Sequence, residues 1–491
     1  MDVSRVAEDR QSDAARQLPP GPPDPAPMLT ATQATDPSPA PGRVSRLVTW
    51  VNQSLVARFS VRTRTAFLIY IAAQIFFLIH IDFPRTLNFD EAHYIPAARE
   101  IISLHKLTNS EHPPLAKIII ATGIMIFGDN PLGWRMMSTI FGALTLVGMY
   151  MWAHAIFRSE KYARWVAALT LVNQLLYVQA RIAMLDTFMF AFLVWALAYF
   201  TEAWNSNLDA RAVRRKLLIS GVLFGMATAC KWFSLVPWFA CGGLAIILVL
   251  RRSWPALTAW RRGETTVQAD ALWQGVRFRD VVLYLGLVPL VPYFVSFVPY
   301  FFLKEKRLEF TQLLSLQASM WVAQTSIAQS HPYMSHWDDW ALLRRPIWYV
   351  FEKQPGNFIR GVVLLGNPAI MWSGLVAFVL CLWSLMRFRT REAFLVLFFY
   401  TAFVASWIAI PRKVSFYYYY YPAGMTLSLV LAYVFFHWEK IKGDKGQQVT
   451  LARWAYLAIA AGFFFYFFPI IGGLDVYAGD FRKWIWFKSW T

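Results

Sequence analysis

The sequence predicts an all-α polytopic membrane protein with about eleven transmembrane helices, one re-entrant or interfacial helix and external loops, and three observations carry that expectation. The chain has 491 residues, of which 57% are hydrophobic and only 15% charged, a balance that a water-soluble core of this size does not need. Apolar runs near Thr65–Asp82, Leu132–Phe157, Val281–Phe302, Ala369–Met386 and Met425–His437 approach or reach the roughly 20 residues that cross a bilayer. The cations behind the formal charge of +18 fall in short segments between those runs, where positive charge retains loops in the cytoplasm. Topology therefore explains the charge better than nucleic-acid binding does.

Taken from the start, residues 1–42 are rich in Pro, Ala, Asp and Ser and predict a disordered cytoplasmic tail, because they cannot bury a core. Residues 43–64 are basic and partly amphipathic, which fits an interfacial segment on the inner membrane surface. No early basic-apolar-small pattern marks a cleaved signal peptide, so the first span is expected to double as the insertion signal. Residues 65–491 then make one membrane domain. Its spans are expected near 65–82, 133–157, 163–180, 186–203, 217–230, 233–250, 281–302, 369–386, 392–410, 419–437 and 451–470.

Pro114–Phe127 decides the topology. It is apolar but short, and counting it as a crossing would place nearly every basic loop outside. Read as re-entrant or interfacial, it leaves a cytoplasmic N-terminus and an external C-terminus. Loop 83–112, the Arg181–Asp186 turn, Lys231 and the long loop 303–366 then share the external side. Cys230, Cys241 and Cys381 lie in or beside apolar segments without metal-ligand spacing, and packing is their expected role.

The external set holds the chemistry-bearing residues. Asp90 and Glu91 follow the first span directly, where partial desolvation raises a carboxylate's basicity and suits it to deprotonate a hydroxyl; the plain alternative is a solvated acidic loop. Glu111-His112-Pro113-Pro114-Leu115-Ala116-Lys117 ends the same loop, and the prolines delay the helix so that Lys117 sits near a membrane surface. There it neutralises a lipid phosphate or snorkels to headgroups. Arg135, Arg181, Asp186 and Lys231 are each costly in lipid and gather at one level, which points to an anionic substrate. A departing phosphate needs such cations. His331-Pro332-Tyr333, Trp337-Asp338-Asp339-Trp340 and Arg344-Arg345 lie in the long loop, where aromatics line a groove or mark the bilayer interface; for the Tyr417–Tyr421 run the interfacial belt is expected. No ligand set fixes a metal, and no nucleotide-binding loop is visible.

The order Phe89-Asp90-Glu91, His112-Pro113-Pro114-Leu115-Ala116-Lys117, Arg135, Arg181–Asp186, Lys231-Trp232, His331-Pro332-Tyr333 and Arg345-Pro346-Ile347-Trp348-Tyr349 closely resembles the protein O-mannosyltransferase family, over most of the chain from about Thr65. Gly366-Asn367-Pro368-Ala369 is similar to bacterial members, and the long loop is too short for the lectin-like domain of eukaryotic ones. Ala341 follows Trp340 where many bacterial relatives have proline. The resemblance implies a GT-C fold in the cell inner membrane. It implies a polyprenyl-phosphate-mannose donor, a translocated protein acceptor and inverting transfer to Ser or Thr, with association with the translocation machinery and no cofactor. Asp90 is similar to the proposed base, Glu91 to its acidic partner and Arg135 to a cation near the donor phosphate. Lys117, Lys231 and Arg345 complete the expected phosphate-binding set, supported by His112, Arg181, Asp186, His331 and Tyr333. The rivals are a related enzyme acting on lipid A or another envelope glycan, and a transporter using intramembrane charges.

Overall fold

A computed structural model describes residues 60–204, 208–261, 272–326, 331–409, 414–443 and 446–490. The expected tail at 1–42, most of the 43–64 segment and Thr491 lie outside the described residues. The first helix, α1 (Val61–Leu78), opens where the Ser60 hydroxyl accepts the Thr63 amide N–H. It is followed by α2 (Glu91–Ser103), α3 (Leu115–Phe127) and α4 (Pro131–Phe157). Next come α5 (Glu160–Leu171), α6 (Gln174–Gln179), α7 (Leu185–Ala203), α8 (Ala210–Cys230) and α9 (Leu235–Arg261). A mixed helical stretch, α10 (Phe278–Phe302), leads to α11 (Leu313–Ser326). Four helices close the bundle: α12 (Pro368–Phe388), α13 (Arg391–Ala409), α14 (Tyr421–Lys442) and α15 (Gly446–Ile471).

Nine helices among the described residues are long and apolar enough to cross a membrane. The expected count was two higher. The stretch expected at 163–180 is two shorter helices, parted where the Asn173 side chain accepts the Leu175 N–H and starts α6. The helix around 217–230 begins earlier, at Ala210, and carries Arg211, Arg214, Arg215 and Lys216 in its first two turns. Central and peripheral helices differ in what they touch. The spanning window of α14 is 83% buried within the protein and that of α1 only 11%, so α1 presents Phe67, Leu68 and Ile75 outward, as a helix bordering lipid does.

The core forms where α4 packs on α7 and where α14 packs on α12 and α13. Gly148 of α4 lies so close to α7 that an added Cβ would come within 2.4 Å of Val194 Cγ1, the close approach that small residues permit between membrane helices. Two indoles tie the same pair: Trp195 Nε1–H donates to Leu144 O at 3.0 Å and Trp152 Nε1–H to Thr201 Oγ1 at 3.1 Å. Each satisfies a polar atom that lipid or apolar packing would leave stranded.

The short helix α3 lies along α2. At one end His112 packs edge-on to Tyr94 of α2, and at the other Asp129 pairs with Arg99 of α2 at 2.8 Å. Both ends of α3 are thus fastened to one helix, α2.

The long loop contains structure that an all-α expectation omits. Strands β1 (Ile347–Gln354) and β2 (Phe358–Leu364) form an antiparallel hairpin, and β3 (Asp475–Tyr477) adds to β2 in register Phe358↔Tyr477 and Arg360↔Asp475. The chain's last residues dock on this sheet, where Trp348 Nε1–H donates to Trp490 O at 2.7 Å.

Candidate active site

Two adjacent carboxylates have opposite surroundings. Phe89 adopts a left-handed conformation, φ 50°, and wedges its ring against Tyr349, Phe416 and Tyr418. The next two residues thereby start α2 with their side chains diverging. Glu91 has no exposed surface. Its Oε1 accepts from Arg135 Nε at 2.8 Å and Ala183 N at 3.0 Å, and its Oε2 from Arg135 Nη2 at 2.8 Å and Asn88 N at 3.2 Å. These four bonds fill the acceptor positions of the Glu91 carboxylate.

Asp90 is only half-buried. It occupies the N-cap position of α2 yet makes no capping bond with its side chain; instead Oδ2 accepts from the Tyr94 hydroxyl at 3.1 Å, one helical turn on. Burial pushes its carboxyl above the usual range, and the charge of Asp186 adds to this, while Lys231, the Tyr94 hydrogen bond and His93 oppose it. The result is a more basic carboxylate with an open side, which is what a general base requires.

Arg135 departs from expectation. All five of its N–H donors are occupied: Nε and one Nη2 donor by Glu91, the other Nη2 donor by Thr86 O at 3.3 Å, and Nη1 by Ile81 O at 3.3 Å and Pro84 O at 2.7 Å. Fully buried and fully spent, it clamps the segment carrying Asp90 and offers no donor to a phosphate. Lys117 is likewise withdrawn. It is wholly buried, and Nζ donates to Asn109 O at 2.5 Å and His112 O at 2.9 Å. Burial lowers its ammonium to about 7, with Glu111 partly opposing. It binds the turn before the prolines, which brings His112 against Tyr94 and Gln324.

The cation that does stand beside Asp90 is Lys231, at the break between α8 and α9. Nζ reaches Asp186 Oδ2 at 2.7 Å and Oδ1 at 2.9 Å, and it lies 4.9 Å from the ring centres of both Tyr418 and Tyr419, an arrangement that compensates a buried ammonium. Those tyrosines correct the belt expectation: Tyr417 to Tyr421 are all buried. Arg181 supports from behind, its Nη2 donating to Ile79 O at 2.8 Å and His80 O at 2.7 Å at the end of α1. On the rim, exposed His331 packs edge-on to Phe416 at 5.3 Å and receives the Tyr333 amide N–H. Arg345, also exposed, spends one Nη2 donor on Pro332 O at 2.6 Å. Trp340 is buried against Trp407, Tyr419 and Tyr420 and does not line a groove. No cluster of three or more His, Cys, Asp or Glu that could hold a metal occurs among the described residues.

Sequence reasoning missed Tyr94 and the paired tyrosines over Lys231. The spacing of Asp90 and Tyr94, four residues on one helix face, was the available signal.

Two family models match this chain in tandem. Residues 111–261 match the one described as dolichyl-phosphate-mannose-protein mannosyltransferase, and residues 309–490 match the C-terminal four-transmembrane region of protein O-mannosyltransferase. The chain belongs to the protein O-mannosyltransferase family. Among curated members, the polyprenol-phosphate-mannose–protein mannosyltransferase of Mycobacterium tuberculosis is 25% identical over 469 residues, covering 82% of this chain and 86% of the relative. That of Corynebacterium glutamicum is 25% identical over 477 residues, covering 82% and 88%. Of solved structures, the Saccharomyces cerevisiae protein O-mannosyltransferase Pmt1-Pmt2 complex bound to the sugar donor superposes with a TM-score of 0.74 at 15% identity, covering 91% of this chain and 94% of that one. ArnT from Cupriavidus metallidurans in the apo state gives 0.52 at 16% identity, over 84% and 77%. These likenesses give the fold, the GT-C type expected of protein O-mannosyltransferases, and the chain is a multi-pass membrane glycosyltransferase.

Proposed function

We propose that the protein transfers mannose from polyprenyl-phosphate-mannose to Ser or Thr hydroxyls of translocated proteins, with inversion and with Asp90 as the base. The observation that carries this reading is the contrast at 90 and 91: one carboxylate is saturated by Arg135 and two backbone N–H groups, and its neighbour is basic and accessible. The names of the mycobacterial and corynebacterial relatives, which match most of the chain, support the donor and the acceptor class.

In this mechanism the acceptor hydroxyl gives its proton to Asp90 as its oxygen bonds to the anomeric carbon. The bond from that carbon to the phosphate oxygen breaks on the opposite face, and the phosphate departs with the electron pair. The donor is a phosphate diester and the group that leaves is polyprenyl phosphate, a weakly basic monoester anion, so charge stabilisation replaces a general acid. Lys231 and Arg345 take the role first expected of Lys117 and Arg135. Lys231 has one N–H beyond the two held by Asp186, and Arg345 has donors to spare on the rim. Arg135 and Lys117 position, through Glu91 and the Asn109–His112 turn.

The distribution of basic loops supports an inner-membrane location, with the Asp90 end on the external side and α3 re-entrant or interfacial. Acceptors arriving there emerge from translocation, which makes association with that machinery part of the proposal. Purified protein supplied with labelled polyprenyl-phosphate-mannose and a Ser/Thr-containing peptide tests the reading. Label on the peptide supports it; label only on lipid A or envelope glycan, in a parallel reaction, would replace the acceptor.

A further inference from the structure

Two adjoining cavities lie at the opposite end of the bundle from Asp90. One, of about 500 Å³, is lined by Arg62, Arg211, Arg215 and Lys216, with an apolar wall of Met151, Trp195, Ala198 and Ile219. A second, of about 330 Å³, shares Arg62, Lys216 and Glu202 with the first and adds Arg158 and Arg391. The two adjoining cavities therefore set six cations against two carboxylates, Glu202 and Asp209. Glu202 is already engaged by Arg62 at 3.4 Å and by Lys216, and Asp209 caps α8 by accepting the Ala212 N–H at 2.7 Å.

Arg391 adds an independent sign. Nη1 and Nη2 donate to the carbonyls of Ile156, Ala155 and Thr201 at 3.1, 3.2 and 3.3 Å, yet Nε is buried with no partner among the described residues. Arg391 lines the second cavity, and its unmatched Nε–H is a donor that a shift of the side chain offers to an acceptor oxygen there. The apolar wall selects among anions. Met151 of α4, Trp195 of α7 and Ile219 of α8 back the cationic side chains, so an occupant that satisfies the whole surface carries hydrocarbon attached to its phosphate.

We infer that these cavities hold the head group of one anionic phospholipid, with its acyl chains along the wall formed by α4, α7 and α8. Basic pockets between spanning helices on the cytoplasmic side suit such head groups. The lipid's leaflet follows from the orientation proposed above, but its binding does not depend on the transfer reaction.

Native mass spectrometry of the delipidated full chain in detergent tests the inference. Phosphatidylglycerol is expected to bind at least tenfold more tightly than phosphatidylcholine. The double variant Arg211→Gln, Arg215→Gln should lose fivefold or more of that affinity while keeping its weak phosphatidylcholine binding. An equal loss of charge at the other end, Lys304→Gln with Lys306→Gln, should change neither. Equal phosphatidylglycerol binding by wild type and the Arg211/Arg215 variant would overturn the site. Displacement of the lipid by equimolar inorganic phosphate would overturn the lipid in favour of a free anion. Because the readout is binding in detergent, failure here leaves the transfer and orientation proposals standing, and their failure leaves this one.

Discussion

Arg135 grips Glu91 through two parallel hydrogen bonds of 2.8 Å, and neither side chain has exposed surface. Removing one partner of such a pair strands a buried charge, which costs about 3–5 kcal/mol. Arg135→Met is therefore expected to lower the unfolding temperature of the purified protein steeply, and Arg135→Met with Glu91→Gln to recover part of the loss. A phosphate ligand would behave differently: its loss would raise the donor KM with the melting temperature unchanged.

Tyr94→Phe removes the hydrogen bond that favours ionised Asp90. Activity needs the carboxylate form, and burial already sets its pKa above the ordinary range, so the acidic limb of the kcat/KM profile should lie above that of an exposed aspartate. The substitution should move the limb further up, with kcat at alkaline pH changed less than at neutral pH. A limb that stays in place or moves down contradicts this coupling.

Lys117 titrates near 7 in the folded protein and near 10.5 when free. Between those values the unfolded chain binds more protons, so this residue makes stability rise with pH from about 7 upward. Melting temperatures taken at pH 7 and pH 9 should rise more for wild type than for Lys117→Met. Equal changes would show that the ammonium is not buried as described.

Arg345 is exposed and spends one donor on Pro332 O at 2.6 Å. Arg345→Gln is expected to raise the donor KM about tenfold, the scale of one lost charge-assisted hydrogen bond to phosphate, with no change in melting temperature. An unaltered KM would remove it from the phosphate site.

The helices could be read from the sequence because lipid imposes long apolar runs. The sheet could not, although Pro355-Gly356-Asn357 between two runs rich in aromatic and β-branched residues is a turn signal; its third strand has only three residues, at Asp475–Tyr477. The motifs at Asp90, Glu91 and Lys231 were visible as misplaced charges. Sequence alone does not show which charges are already satisfied. Arg135 resembled a phosphate ligand until the carbonyls of Ile81, Pro84 and Thr86 were found on its guanidinium. The five tyrosines at Tyr417–Tyr421 carried no periodic pattern to distinguish an interface from a buried wall around an ammonium.

Turnover of labelled polyprenyl-phosphate-mannose by Asp90→Asn is the most direct measurement, since the amide keeps the shape of the side chain and loses its basic oxygen. Transfer to a Ser/Thr peptide is expected to fall by about 10²–10⁴-fold, the usual worth of a general base, while donor binding and the melting temperature stay close to wild type. Near wild-type turnover would remove Asp90 as the base and with it the central role assigned to the open carboxylate beside the Glu91–Arg135 clamp.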